Sequence, residues 1–115
     1  MDRLVYKIVG RDEWDDAVAR GVFVGATIDL TDGYIHLSTA AQVEETARRH
    51  FAGRDDLVLV ALRAAELGEA LRYEPSRGGH LFPHLYARLD PQAALWTRPL
   101  PLGQDGTHDF PDLTG

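Results

Sequence analysis

The sequence of 115 residues contains no cysteine. Disulfide bridges, thiolate metal sites and cysteine nucleophiles are therefore excluded. A long apolar segment is also lacking, because the longest run, residues 57–62, is far shorter than the roughly 20 residues that a membrane-spanning helix needs. The N-terminus opens with charged residues and no apolar run follows. We therefore expect no signal peptide, no membrane association and a cytoplasmic location.

Positive charge is scarce, since 12 Lys and Arg against 18 Asp and Glu give a net charge of −6. An acidic surface disfavours binding to nucleic acid through its phosphates. It leaves open a small-molecule or nucleotide ligand in a locally basic pocket. Three familiar motifs are missing as well: the G-x-S-x-G elbow, the Walker loop and the G-x-G-x-x-G turn. Any catalysis or nucleotide binding must use another arrangement.

The length predicts a single domain, residues 1–115. Residues 57–62 lack alternation, which predicts a strand buried on both faces. Pro83 limits the strand predicted at residues 81–86 to a sheet edge or a bulge, because proline cannot donate to a ladder. Residues 22–32 are predicted as a loop and residues 39–51 as a helix. The mixture of strands and helices predicts an α+β fold.

The strongest functional signal lies in residues 33–38. Tyr34, His36 and Ser38 alternate with aliphatic residues, which predicts a half-buried strand with one polar face. The helix that follows begins with a Thr-x-x-Gln pattern, typical of a capping box. A polar strand face beside the free N–H groups of a helix is suited to hold a polar ligand. Two simpler alternatives stay open: His36 satisfies only a neighbouring carbonyl, and Ser38 caps the helix.

Glu74 is the best single carboxylate for chemistry. It ends a predicted strand and precedes a Pro-Ser-Arg-Gly-Gly turn, where backbone can approach a ligand closely. The alternative is an exposed glutamate that pairs with Arg72 or Arg77.

Two further histidines, His80 and His84, lie four residues apart. With His36 and the glutamate they could form a mononuclear metal site. No tight metal-binding motif supports this, so structural histidines are favoured and no metal is predicted. Phe82 and Tyr86, between and beyond these histidines, are predicted as core residues.

Several segments carry a resemblance to a known family: residues 6–8, 33–39, 51–53, 56–60, 74–79 and 82–86, with Trp96. In this order they resemble the bacterial domain-of-unknown-function 952 family over nearly the whole chain. That family is grouped with the ADP-ribosyltransferase-like fold, in which two packed, split antiparallel sheets with flanking helices hold NAD in the cleft between them. Residues 34–60 are also similar to the RNA 2′-phosphotransferases. The resemblance therefore implies a cleft for NAD.

The resemblance also implies roles for individual residues in an NAD-dependent ribosyl transferase. His36 and Glu74 would be catalytic, and His36 with Ser38 would line the nicotinamide-ribose part of the cleft. Lys7 stands where many members of the fold carry histidine or arginine, and Lys7 or Arg77 would meet phosphate. The implied cofactor-binding residues are Lys7, Tyr34, His36, Ser38, Arg77 and His84.

Lys7 also supports an alternative function. It keeps a cation but loses the acceptor of histidine and the fork of arginine. This favours a binding module that holds a nucleotide or another small ligand in the same cleft without turnover. A histidine metal site is the third and weakest hypothesis. The sequence indicates neither the acceptor nor the oligomeric state.

Overall fold

A computed structural model describes residues 3–113, except for the side chain of Arg77. In this part of the chain the strands are β1 (Leu4–Gly10), β2 (Ile35–His36), β3 (Ser38–Thr39), β4 (Leu57–Arg63), β5 (Leu71–Pro75), β6 (Leu81–Leu85) and β7 (Ala94–Pro99). The α-helices are α1 (Arg11–Arg20), α2 (Thr27–Asp32), α3 (Val43–His50) and α4 (Ala64–Leu67). Single 3₁₀ turns cover Gly68–Ala70, Arg77–Gly79 and Pro91–Ala93.

The strands form two antiparallel sheets. The larger sheet has the order β3-β1-β4-β7, and the smaller one has the order β2-β6-β5. All pairings are antiparallel. This confirms the α+β prediction and places β4 in the middle of the larger sheet.

The hydrophobic core lies on both faces of the larger sheet. Val60 and Leu62 of β4 pack with Ile35 and Leu85 of the smaller sheet, so one core lies between the sheets. The opposite face packs against α3 and includes Leu59. Residues 57–62 are buried throughout, as their lack of alternation predicted.

The stretch predicted as one strand over residues 33–38 is two short strands in different sheets. His36 of β2 pairs with His84 of β6, whereas Ser38 of β3 pairs with Tyr6 of β1. The chain crosses between the sheets at Leu37, whose N–H donates to the Pro83 carbonyl at 3.0 Å. Alternation alone cannot show this crossing, because the side-chain period of two continues through it.

Pro83 lies in the central strand of the smaller sheet, so the prediction of an edge or bulge was wrong. The Pro83 carbonyl accepts from the Leu37 N–H. In an antiparallel ladder the nitrogen and carbonyl of one residue point to the same side. The proline nitrogen therefore also faces Leu37, to which it cannot donate the reciprocal ladder bond, and β2 ends at His36.

The second correction is α2, which lies in the segment predicted as a loop. Its six residues are too few for a period to be read. The helix is held by a tertiary contact and by its own cap: the Asp29 carboxylate accepts from the Ala26 N–H at 2.8 Å. It ends at Gly33, which has a φ of 89°. Helix α3 is shorter than predicted and begins at Val43.

None of the helices in residues 3–113 is long and apolar enough to cross a membrane.

Candidate functional site

One face of the smaller sheet carries the candidate site. The register places His36 and Arg72 on either side of His84, and Glu74 opposite Phe82. Because side chains alternate across a strand, these residues share one face, while their neighbours point into the core. Tyr34 precedes β2 and Tyr86 follows β6. We call this surface the polar face; its central members are Tyr34, His36, Glu74, His84 and Tyr86.

A buried ion pair lies behind the polar face. Lys7 Nζ is 2.9 Å from Asp29 Oδ2, and both side chains are almost completely buried, at 5% and 1% exposed. The same ammonium donates to the His36 carbonyl at 3.1 Å. Lys7 comes from the larger sheet and His36 from the smaller one. Asp29 therefore ties the two sheets together at this point.

Asp29 also orients His36. Asp29 Oδ1 accepts from the His36 backbone N–H at 3.0 Å and lies 2.6 Å from the ring nitrogen Nδ1. Burial by itself raises the pKa of Asp29, but the hydrogen bonds from His36 and the charge of Lys7 outweigh it and bring the pKa to about 2. Burial lowers the pKa of Lys7, and Asp29 only partly opposes this. Asp29 is thus an anion that every neighbour helps to stabilise.

The second ring nitrogen of His36 points towards the surface. Nε2 lies 2.9 Å from Asp32 Oδ2, and the side chains of His36 and Asp32 are 31% and 39% exposed. A neutral imidazole has one N–H and can donate to one carboxylate, whereas the protonated ring can donate to both. Of the two carboxylates, only the exposed Asp32 can easily give way to a ligand.

Glu74 forms a second histidine–carboxylate contact. Its Oε1 lies 2.8 Å from His84 Nδ1 and accepts from the Tyr86 hydroxyl at 2.7 Å. The hydrogen bonds from Tyr86 and then His84 lower the pKa of Glu74, so it stays ionised at neutral pH. The hydrogen bond from the Tyr86 hydroxyl to Glu74 also raises the pKa of Tyr86. His84 is buried, whereas about a third of the Glu74 side chain reaches solvent.

Tyr34 is the centre of an aromatic cluster. Its ring stacks on the His84 ring at 4.1 Å between centroids and lies 4.7 Å from the His36 ring and 5.2 Å from the Tyr86 ring. The Arg72 guanidinium lies 4.9 Å from the centre of the Tyr86 ring. Tyr34 therefore contacts the histidines of both pairs, and the His36 and His84 rings also meet edge-on at 5.7 Å between centroids.

An open cavity of about 370 Å³ adjoins Tyr34. Its lining is mostly apolar, including Val24, Leu30 and Leu85, and Asp29 and Arg88 supply the charged groups. A cavity of this size can hold part of a nucleotide-sized ligand.

The structure brings four predicted site residues together and separates two others. Tyr34, His36, Glu74 and His84 meet on the polar face. Lys7 lies behind it, with its ammonium engaged by Asp29 and the His36 carbonyl. Ser38 is in the other sheet, where its buried hydroxyl lies 3.1 Å from that of Thr46 in α3. The predicted role of Arg77 depends on a side chain outside the described part of the structure.

Sequence reasoning missed three members of the site: Asp29, Asp32 and Tyr86. The core prediction for Tyr86 was wrong, since its side chain is 40% exposed and its hydroxyl reaches Glu74. Its two-residue spacing from His84 was the signal that could have placed it on the polar face. Asp29 and Asp32 carried no comparable signal, because α2 was not predicted.

The histidine metal site lacks support in the described residues. No three His, Asp or Glu side chains between residues 3 and 113 are arranged to hold a metal ion. His80 is exposed beside the Arg77–Gly79 turn.

Gly25 is the residue that leaves room for Asp29. Its φ is +119°, and a Cβ built there would lie 2.8 Å from the Asp29 Cβ. We expect Gly25→Ala to lower the free energy of unfolding by about 1–3 kcal/mol through backbone strain, and further because Asp29 must move. Urea unfolding followed by circular dichroism measures the change.

Gly21→Ala is the matched control for Gly25→Ala. Gly21 also has a positive φ, of +80°, but nothing lies within 4 Å of the added Cβ. Gly21→Ala therefore introduces the backbone strain without a clash between the added Cβ and a neighbouring atom. Equal losses of stability in the two variants would show that Asp29 does not need the space.

Comparison with known proteins places the chain in a family. Residues 8–97 match the family model described as "Protein of unknown function (DUF952)". The chain belongs to the DUF952 family. This confirms the family that was predicted from the sequence motifs.

The DUF952 protein is also similar to solved structures of CC0527 from Caulobacter crescentus. The X-ray structure of CC0527 has a TM-score of 0.88 and 48% sequence identity, covering 92% of this chain and 93% of that chain. The solution NMR structure has a TM-score of 0.83 and 49% identity, covering 90% of each chain. Both are structural-genomics targets with no stated function. No curated protein matches the DUF952 chain.

Proposed function

We propose that the polar face binds NAD and that the protein is an ADP-ribosyltransferase-like enzyme. The observation that carries the proposal is that the two histidine–carboxylate pairs beside Tyr34 are buried in opposite ways. In Asp29–His36 the carboxylate is buried and the imidazole reaches solvent. In Glu74–His84 the imidazole is buried and the carboxylate reaches solvent. The polar face thus presents one base and one anion next to the Tyr34 ring.

This combination suits cleavage of the bond between nicotinamide and ribose. When C1′–N1 breaks, the electron pair leaves with nicotinamide and positive charge develops on the ribose, as in glycoside cleavage. Glu74 is ionised and held in place by His84 and Tyr86. A fixed anion beside the developing charge stabilises the transition state more than the ground state.

Other described residues fit the remaining parts of NAD. The exposed ring of Tyr86 and the half-buried ring of Tyr34 can stack on a planar nicotinamide or adenine. The cavity beside Tyr34 is lined by Ile35 and Leu85 from the opposite face of the smaller sheet, so it can hold only a part of NAD that extends past Tyr34; Arg88 in its lining is a cation that can meet the diphosphate. Arg72, over the Tyr86 ring, is a cation on the polar face itself.

The proposed fold relationship rests on the two antiparallel sheets. An ADP-ribosyltransferase-like fold holds NAD between two such sheets, whereas here apolar side chains fill the space between the sheets and the polar face lies on the outer side of the smaller one. Here Lys7 of the larger sheet and His36 of the smaller sheet meet at Asp29. In this proposal Lys7 positions the cleft wall through that contact, and the phosphate contacts come from other cations.

The second candidate function is binding of NAD or another nucleotide without turnover. It is favoured by the Glu74 carboxylate, whose Oε1 already accepts from His84 and Tyr86. A carboxylate held in this way can stabilise the fold or bind a ribose hydroxyl without taking part in catalysis. The two functions differ in one result: both require NAD binding, but only the enzyme releases nicotinamide.

A thermal-shift experiment with NAD, ADP-ribose and nicotinamide tests the binding that both functions need. A ligand at about a hundred times its Kd should stabilise the wild-type protein by about 2.7 kcal/mol, seen as a raised Tm. We expect Tyr34→Leu to lose the shift, because the stacking ring is gone.

His50→Ala is the control for the thermal shift. His50 is exposed on α3, on the other side of the larger sheet, so this variant should keep the shift. No shift of wild-type Tm with any of the three compounds would overturn the proposal. A shift that Tyr34→Leu retains would place the ligand away from the polar face.

A further inference from the structure

We propose that Asp29 is a positioning residue that makes His36 the general base for the acceptor, and that the acceptor is a neutral hydroxyl, water included, and not a phosphate. This inference rests on the proposed function, since it assigns the second half of the same transfer. It comes from the geometry around His36, in which the two ring nitrogens meet different environments.

The inner nitrogen of His36 is held by a buried anion. Nδ1 lies 2.6 Å from Asp29 Oδ1, and the Asp29 side chain is 1% exposed. Asp29 is itself held by Lys7 and by the Ala26 N–H. A carboxylate in this position accepts a hydrogen bond from Nδ1–H, which keeps the proton on Nδ1 and leaves Nε2 as the basic atom, as the aspartate does for the catalytic histidine of serine proteases.

The outer nitrogen of His36 faces the open side of the site. Nε2 lies 2.9 Å from Asp32 Oδ2, and Asp32 is the last residue of α2 before Gly33. Because Asp32 is 39% exposed, an acceptor hydroxyl can take its place at Nε2 without losing buried contacts. The groups that face the His36 ring or its backbone are Lys7, Asp29, Asp32, Tyr34 and His84, with Glu74 behind His84.

This set of charges selects the acceptor. The charged side chain at Nε2 is Asp32, with Glu74 a second anion on the exposed side; the ammonium of Lys7 is buried and paired, and the Arg72 guanidinium lies over the Tyr86 ring. A phosphate brought to Nε2 would meet like charge, whereas a hydroxyl would not.

The transfer step balances as follows. The C1′–N1 bond of NAD breaks and its electron pair leaves with nicotinamide. The oxygen of water or of another hydroxyl forms the new bond to C1′, and His36 Nε2 takes its proton. With water the products are ADP-ribose, nicotinamide and one proton.

Long-range ¹H–¹⁵N spectra of the full-length protein measure the proton position directly. In the neutral His36 ring we expect the proton on Nδ1 and a free lone pair on Nε2. Asp32→Asn should keep this tautomer, because Asp29 is unchanged. A proton on Nε2 in the neutral ring would overturn the inference even if NAD is cleaved.

Nicotinamide release from NAD tests the role of His36 as a base. His36→Gln should lower kcat by about 10²–10⁴-fold and leave the KM for NAD nearly unchanged.

Product analysis tests the acceptor class. With methanol added to wild-type protein and NAD, we expect methyl ADP-ribose beside ADP-ribose; with inorganic phosphate added, we expect no phosphate adduct. A phosphate adduct, or an unchanged kcat in His36→Gln, would overturn the inference while the proposed function stands. Absence of nicotinamide release by the wild-type protein would overturn the proposed enzyme activity and this inference with it.

Discussion

Asp29→Ala is expected to lower the free energy of unfolding by about 3–5 kcal/mol. The substitution leaves the Lys7 ammonium buried without its counter-charge, and removing one partner of a buried ion pair is strongly destabilising. The Lys7 side chain is 5% exposed and has only the His36 carbonyl as a further acceptor among its contacts in residues 3–113. Urea unfolding followed by circular dichroism measures the loss.

Two further variants separate the buried charge from the general loss of a carboxylate. In Lys7→Met/Asp29→Ala no unpaired charge remains, so the double variant should lose less stability than the sum of the single variants. Asp16→Ala removes an exposed carboxylate, 58% exposed and paired with Arg20, and should cost at most about 1 kcal/mol. An Asp29→Ala loss no larger than that of Asp16→Ala would contradict the expectation.

The stabilisation that Asp29 contributes depends on pH in a predictable direction. The pKa of Asp29 falls from 3.8 to about 2 on folding, so its stabilisation is present above about pH 4 and is lost as pH falls through 2. A shift of this size corresponds to about 2 kcal/mol. The difference in stability between wild type and Asp29→Ala should therefore narrow between pH 4 and pH 2.

Glu74→Gln is expected to lower the rate of nicotinamide release from NAD by about 10²–10³-fold, the usual cost of removing one group that stabilises transition-state charge. The amide keeps the shape of the side chain and can still accept from Tyr86 and His84, but it has no charge to offer the ribose. NAD binding, measured by thermal shift, should be retained. Loss of rate without loss of binding identifies the interaction as one made in the transition state.

Glu69→Gln is the matched control for this experiment. Glu69 is exposed in the Gly68–Ala70 turn and is not part of the polar face. Its substitution should leave the rate unchanged. If Glu74→Gln kept the wild-type rate, Glu74 would be a structural or ribose-binding residue, and the binding function without turnover would be favoured.

Much of the scaffold was predictable because its signals are local. The continuous apolar run predicted that β4 is buried on both faces. The sequence also identified His36, Glu74 and His84 as residues that could act together. Their spacing along separate strands already restricted which face each side chain could occupy.

The role of Asp29 could not be predicted in the same way. Its partners, Lys7 and His36, lie 22 and 7 residues away along the chain. The helix that carries it is stabilised by those partners, and a six-residue segment has too little propensity of its own to be recognised. A buried aspartate looks the same in sequence as an exposed one.

By itself, the sequence determined the family, the α+β class and the chemical groups available: histidines, carboxylates and aromatic rings without a thiol. These follow from composition, motifs and the two-residue period of each strand. Only the tertiary structure decided which groups meet. The crossing at Leu37 separates Ser38 from His36, and the pairing of β6 with β2 and β5 brings His84 to both His36 and Glu74. Strand pairing is a long-range choice made by burial and hydrogen bonding across sheets, and no local pattern encodes it.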